Sequence, residues 1–254
     1  PVAAIPLTEF SFMDRGNRIE LDQYLELNRV AGLLILKDGK IKLEKYRYGN
    51  TVHTRWMSMS VAKSITSTLI GAAIHQGKIA SIDDAVTRYV PVLKGGAYEG
   101  VAVRDVLTMS SGVLWNEAYS DPQSDRRRLL EAQISQVPGA TMALLSTLKR
   151  AHAPGLAINY NTGETQVAAQ LLRSATGKTL ASYLSENIWE KYGMEADATW
   201  WLDASDGVEI GGSGFNATLR DYGRFGMFML SGGTVGNEAI LPATWVAEAT
   251  TPRK

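Results

Sequence analysis

The sequence predicts an α+β fold: a sandwich in which helices flank an antiparallel β-sheet, with an all-helical subdomain set between its two parts. Three observations carry this expectation. A hairpin signature occupies residues 31–47, the text from about residue 82 to 190 reads almost entirely helical, and strand-like residues return only from Thr199. Strands and helices do not alternate, which argues against a parallel doubly wound sheet and for an antiparallel one with helices packed on it. The expected division is residues 1–80 as the first part of the α/β domain, 81–190 as the helical subdomain, and 191–254 as the return to the α/β domain.

In chain order, Ala31-Gly-Leu-Leu-Ile-Leu36 is apolar on both faces, and Ile41–Arg47 alternates, with Ile41 and Leu43 on one side and Lys42 and Glu44 on the other. Asp38-Gly39 between them is a strong two-residue hairpin turn. The period then changes. Val61, Ala62, Ile65, Leu69, Ala72 and Ala73 line one face of a helix, and Ile70 and Ile74 widen the apolar surface, so this helix is expected at the centre of the core. Gly71 and its alanines permit close approach, and Gly77 is an end signal.

Beyond it, Asp83-Asp84 is read as the cap of a short helix. Further helices are expected at Val103–Leu107, Asp125–Ile134, Ala140–Arg150, Glu164–Thr176 and Leu180–Trp189. Pro122, Pro138-Gly139, Pro154-Gly155 and Gly177 mark the breaks between them. After the glycine-rich Gly211-Gly212-Ser213-Gly214, helices are expected over Ala217–Leu230 and Pro242–Ala249, with a turn at Gly232-Gly233.

Composition narrows the function. Of the 254 residues, 45% are hydrophobic and 20% charged, an ordinary globular balance that argues against disorder. Lys plus Arg (26) equals Asp plus Glu (26), so no basic excess points to nucleic acid. Cysteine is absent, which removes disulfides, thiol catalysis and cysteine zinc sites. No apolar run reaches membrane-spanning length and no signal peptide is seen. The chain begins at Pro1, so its front reads as trimmed, and a soluble protein of the cytoplasm or periplasm is expected.

Several catalytic signatures are missing: there is no G-x-S-x-G and no H-E-x-x-H, and only His53, His75 and His152 occur. Gly177-Lys178-Thr179 resembles the end of a phosphate-binding loop, but Leu172 stands where that motif needs glycine, so a helix end is expected instead. Arg126-Arg127-Arg128 reads as a solvated helix end. What remains is S-x-x-K, which occurs at Ser60–Lys63 and at Ser146–Lys149. At this spacing both side chains share one helix face, so the amine can take the hydroxyl proton. Ser60 opens the buried helix, where free N–H groups favour an oxyanion. Ser146 and Lys149 lie in the middle of an expected exposed helix and read as solvated. Tyr160 follows the Pro154-Gly155 turn and lands just before a helix, placed either to point into a cleft or to pack.

Together these residues resemble the penicillin-recognising serine hydrolases, over roughly residues 30 to 250. Ser60-x-x-Lys63 matches the nucleophile motif, Tyr160 the tyrosine of Y-x-N, and Val103-Arg-Asp-Val-Leu-Thr-Met-Ser-Ser-Gly112 a family stretch. Trp115-Asn-Glu-Ala-Tyr-Ser-Asp-Pro122 is most similar to the 6-aminohexanoate-dimer (nylon-oligomer) hydrolase branch of the class C β-lactamases and esterases.

The resemblance implies a β-lactamase-like fold, an acyl-enzyme on Ser60, and proton transfer shared by Lys63 and Tyr160. It also implies a cleft bordered by Trp115, Tyr119 and Asp121, with Asp121 pairing a substrate amine or simply making an Asp-Pro turn. No metal or organic cofactor is expected. The partner is a small ester or linear amide, no nucleic acid is expected, and a homo-oligomer is compatible.

Two departures from the pattern matter. Thr162 replaces the asparagine of Y-x-N, which argues against an efficient β-lactamase and for esterase or amidase chemistry. No K-T-G-like strand follows Gly236, where family analogy implies about 80 further residues. The expectation is therefore a fragment, or a chain completed by a second C-terminal segment. Alternatives are a class C-like β-lactamase, a D-amino-peptidase, and a weak or inactive penicillin-binding-like module.

Overall fold

The structure, a computed structural model, describes residues 10–252. Two elements precede the predicted hairpin: strands β1 (Ser11–Asp14) and β2 (Asn17–Glu20) pair antiparallel, and helix α1 (Leu21–Leu27) follows. The predicted hairpin is β3 (Gly32–Lys37) and β4 (Lys40–Tyr46). Asp38 and Gly39 both have positive φ (53° and 70°), the backbone that a type I′ turn requires. Strand β5 (Arg55–Met57) then leads into α2 (Val61–His75).

Helix α2 is the centre of the core. Ala62, Ile65, Leu69, Ile70, Ala72 and Ala73 have no exposed surface, as expected for a helix apolar nearly all round. Val61, expected on the buried face, is 52% exposed, because the first turn of α2 opens onto the candidate site. Gly71 is required by a close approach: a Cβ there would meet Trp245 Cε2 at 2.5 Å.

The middle of the chain is helical. It holds α3 (Val103–Leu107), α4 (Asp125–Ile134), α5 (Ala140–Ser146), α6 (Thr162–Thr176) and α7 (Leu180–Leu184), the last running on as a π-helical stretch to Trp189. The Asp83-Asp84 cap is corrected: only a short 3-10 turn, Val86–Arg88, follows it. Asp84 instead gathers the Tyr89 hydroxyl (2.6 Å) and the Ser81 N–H (3.2 Å). Helix α5 stops at Ser146 rather than Arg150. The Thr147 hydroxyl donates back to Leu144 O, Lys149 O accepts from Leu114 N at 2.7 Å, and Arg150 pairs with Val113 in an antiparallel bridge, so the chain leaves the helix after a closing turn. Helix α6 starts earlier than expected, at Thr162, because the Asn161 side chain caps it. Gly177 (φ 69°) ends α6 and Thr179 caps α7, so Gly177-Lys178-Thr179 is a helix junction.

The last part holds β6 (Thr199–Trp200), β7 (Phe215–Thr218), α8 (Leu219–Leu230), the pair β8 (Thr234–Val235) and β9 (Glu238–Ala239), and α9 (Trp245–Thr250). Ala217 and Thr218, expected in the helix, belong to β7: Phe215 and Ala217 point inward around Asn216, and Thr218 caps α8. The final helix likewise begins at Trp245, not Pro242. Every strand pair among the described residues is antiparallel, and β5, β7 and β6 form a three-stranded sheet in the order β5-β7-β6. Arg220 on α8 clamps Glu44 on β4 with two bonds of 2.7 and 2.8 Å, and this bond from Arg220 holds the Glu44 carboxyl below the usual range. The α+β architecture of small antiparallel sheets and packed helices is thus as predicted. No helix among the described residues is long and apolar enough to cross a membrane.

Candidate active site

Strand β5 leads into the turn that carries Ser60. Ser58 N–H donates to Phe215 O of β7 at 2.8 Å, which fixes the end of β5. Met59 then takes a left-handed backbone (φ 46°), a strained conformation for a side chain of its size. The turn sets Ser60 at the head of α2, exposed, with its N–H free of any acceptor among the described residues. Lys63 lies one turn on. Its ammonium donates to Ser60 Oγ at 3.2 Å and to Gly212 O at 2.9 Å. A Cβ at Gly212 would sit 2.9 Å from Thr162 Cγ2 and 3.3 Å from Lys63 Nζ, so this glycine keeps room for the lysine.

Tyr160 arrives from the other side. Its hydroxyl donates to Ser60 Oγ at 3.0 Å, and Lys63 Nζ lies 5.3 Å from the ring centroid. The loop that carries it is tied down on both sides. Asn159 N–H donates to Met109 O (2.8 Å) and its side-chain amide to Trp115 O (3.1 Å), while Asn161, fully buried, caps α6. The Val103–Gly112 stretch thereby acts as the clamp of this loop. Gly112 has positive φ, and a Cβ there would strike His152 O at 2.2 Å. Ser111 does more than shape the turn: its hydroxyl bonds Oε1 of the buried Glu164 carboxyl and accepts from Val113 N–H. Burial pushes the Glu164 carboxyl up to about 8.

The structure brings Ser60, Lys63 and Tyr160 together; the other three candidates sit differently. Trp115 is 5% exposed and packs inward near Gly163, its indole N–H donating to Glu117 at 2.5 Å. Tyr119 is 73% exposed, bonded to Glu117 (3.1 Å), with Arg126 5.8 Å from its ring centroid. Asp121 is engaged within its own loop, accepting from Asn116 Nδ2 (2.9 Å) and Gln123 N–H (2.8 Å). Ser146 donates to Ala143 O at 2.8 Å, and Lys149 lies beyond the end of α5, so this pair is not at mid-helix.

Four residues escaped the sequence. Gly212 supplies the carbonyl that holds Lys63. Glu117 accepts from Thr162 N–H (3.0 Å) and from the Thr162 hydroxyl (2.5 Å). Glu164 holds Ser111 and Asn161. Arg126, expected in solvent, is only 16% exposed at its side chain. Each acts across at least 40 residues of chain or through burial, and no local pattern reports that. Among the described residues, no group of three or more His, Asp or Glu converges as a metal site.

The 6-aminohexanoate-dimer hydrolase of Paenarthrobacter ureafaciens is 33% identical over 89% of this chain and 58% of its own length. A D-aminopeptidase of Brucella anthropi is 29% identical over 63% of this chain and 31% of its own. The chain therefore spans less than two thirds of the length of these relatives. A solved structure from Bacillus anthracis, assigned as a 6-aminohexanoate-dimer hydrolase, superposes with a TM-score of 0.85 at 25% identity, covering 97% of this chain and 67% of that one. The Beta-lactamase family profile matches residues 22–254. With that match over most of its length, the chain belongs to the β-lactamase family and is homologous to 6-aminohexanoate-dimer hydrolase.

Proposed function

We propose that this protein is a serine hydrolase of small esters or linear amides, working through an acyl-enzyme on Ser60. The observation that carries this reading is the convergence of Lys63 Nζ (3.2 Å) and Tyr160 Oη (3.0 Å) on one exposed serine oxygen. Ser60 Oγ attacks the substrate carbonyl carbon, and its proton passes to the Lys63–Tyr160 pair, which enters the step one proton short, as a neutral amine or a phenolate, so that one of its two atoms can accept. The tetrahedral oxyanion takes the free N–H of Ser60 at the head of α2, where the helix dipole favours negative charge. The C–N or C–O bond then breaks as the pair returns the proton to the leaving amine or alcohol. Water attacks the acyl ester, gives a proton to the same pair, and Ser60 recovers its own as the acid departs.

Thr162 supports linear substrates over β-lactams. It stands where the family pattern has asparagine, is 4% exposed, and spends its hydroxyl on Glu117, so it offers the substrate amide no polar group. Asp121, both of whose oxygens serve its own loop, lends little support to a D-amino-peptidase.

The test is intact mass and peptide mapping after a fluorophosphonate probe, followed by turnover of p-nitrophenyl esters, a β-lactam and the linear aminohexanoate dimer. An adduct on Ser60, and no turnover by Ser60→Ala, are expected. Retained turnover in Ser60→Ala, or an adduct elsewhere, would sink the assignment.

A further inference from the structure

Besides Ser60, Lys63 Nζ has one hydrogen-bond partner among the described residues, the carbonyl of Gly212 at 2.9 Å. The segment that carries this carbonyl, residues 209–213, lies outside the helices and strands and contains two adjacent glycines. Left to itself, such a segment would not hold one atom in one place. Side chains from three elements hold it instead.

Gln166 on α6 is 1% exposed and grips the segment twice. Its Nε2 donates to Glu209 O at 3.2 Å, and its Oε1 accepts from Gly211 N–H at 3.1 Å. A primary amide carries a donor and an acceptor side by side, so one side chain here serves the backbone edge as a neighbouring strand would. Thr66 on α2, fully buried, donates its hydroxyl to Gly211 O at 2.9 Å. Trp200 on β6 turns its indole N–H to Ile210 O (3.0 Å) and Ser213 O (3.2 Å). Each carbonyl from Glu209 to Ser213 therefore accepts from a side chain, and the one that falls to Lys63 is Gly212 O. Gly211 lets the segment lie directly on α6, since a Cβ there would sit 2.8 Å from Thr165 O and 2.8 Å from Ala169 Cβ.

We propose that Gln166 is a positioning residue of the hydrolase, setting the Gly212 carbonyl, and through it the Lys63 amine, against Ser60, with Thr66 as the second clamp. Lysine has a flexible four-carbon stem, and an acceptor at a fixed point selects the conformer that aims its nitrogen at the serine oxygen. Gln166 itself reaches neither Ser60 nor Tyr160; it acts through the backbone of residues 209–212.

The inference rests on the hydrolase reading, and ester turnover by the parent and by Ser60→Ala, Gln166→Met, Gln166→Glu and Thr66→Val tests the two apart. Methionine fills the place of the amide and makes neither bond. Its kcat should fall about 10–100-fold, the scale of a displacement of about 1 Å at the reacting groups, with KM within about twofold. At pH 5.5 a buried carboxylic acid keeps its proton and offers the same donor and acceptor as an amide, so Gln166→Glu should come within about threefold of the parent there. Thr66→Val should lower kcat by about threefold or more, the scale of one neutral hydrogen bond, and decides the matter if Gln166→Met does not fold. All rates are referred to the folded fraction read by tryptophan fluorescence. Parent-like kcat in Gln166→Met or, failing its folding, in Thr66→Val would overturn the proposal. So would a loss carried by KM, or one that vanishes when referred to folded protein. Absence of Ser60-dependent turnover in the parent would overturn the hydrolase reading and this inference with it.

Discussion

Glu164→Gln should remove most of the pH dependence of stability between about pH 5 and 8. Glu164 sits on the first turn of α6, 2% exposed. Its Oε1 accepts from Ser111 Oγ and from Asn161 Nδ2, and its Oε2 has no partner among the described residues. Burial raises its carboxyl from 4.5 to about 8, with the Asp105 charge adding to the rise and the Ser111 and Asn161 bonds opposing it. The folded chain thus holds this proton more tightly than the unfolded one. Its stabilising contribution is fully present below about pH 4.5 and is lost as pH rises through about 8. The slope in that window is about 1.4 kcal/mol per pH unit, so two units, from pH 5.5 to 7.5, remove about 3 kcal/mol.

Glutamine is neutral throughout. It keeps the acceptor for Ser111 and puts an amide where Oε2 lacks a partner, which costs about 1–3 kcal/mol at acid pH. Urea unfolding followed by tryptophan fluorescence at pH 5.5, 6.5 and 7.5 reads the difference directly. The variant should start less stable than the parent and gain on it by about 3 kcal/mol across the range. A difference that stays flat, or moves the other way, would refute the argument that this buried carboxyl is protonated in the fold.

Other consequences are equally open to measurement. Tyr160→Phe should lower kcat/KM on an ester by about 10²–10⁴ with the melting temperature unchanged, because the hydroxyl bonds Ser60 and little else. A near-normal rate would mean that Lys63 alone moves the proton. Gly163→Ala places a Cβ 2.7 Å from Leu145 Cδ2 and 3.1 Å from Trp115, and should cost about 1–3 kcal/mol in denaturant unfolding. An unaltered midpoint would show that α5 and α6 give way easily at their contact. Ser146→Ala should leave ester turnover intact, and a dead variant would mean that the catalytic serine had been misassigned between the two S-x-x-K motifs.

Much of this protein is written locally. Asp38-Gly39 specifies the β3–β4 turn, since few other pairs accept positive φ twice in succession. The apolar positions of residues 61–76 specify a buried helix, and the i, i+3 spacing of Ser60 and Lys63 places both on one face, because helix geometry depends only on neighbours in the chain. The sequence errs where a tertiary contact overrides a local preference. Phe215–Thr218 joins a sheet because β5 and β6 lie on either side of it, and α5 ends early because Leu114 captures the carbonyl of Lys149. The likeness of Tyr160 to a family motif identifies it as a candidate, but only folding brings its hydroxyl within 3.0 Å of a serine 100 residues away. The same holds for the carbonyl of Gly212, the side chains of Glu117 and Glu164, and the burial of Arg126. Sequence alone determined the helix that carries Ser60 and Lys63; the tertiary structure decided which polar groups are buried, because burial is a property of what packs around a residue and not of its neighbours in the chain.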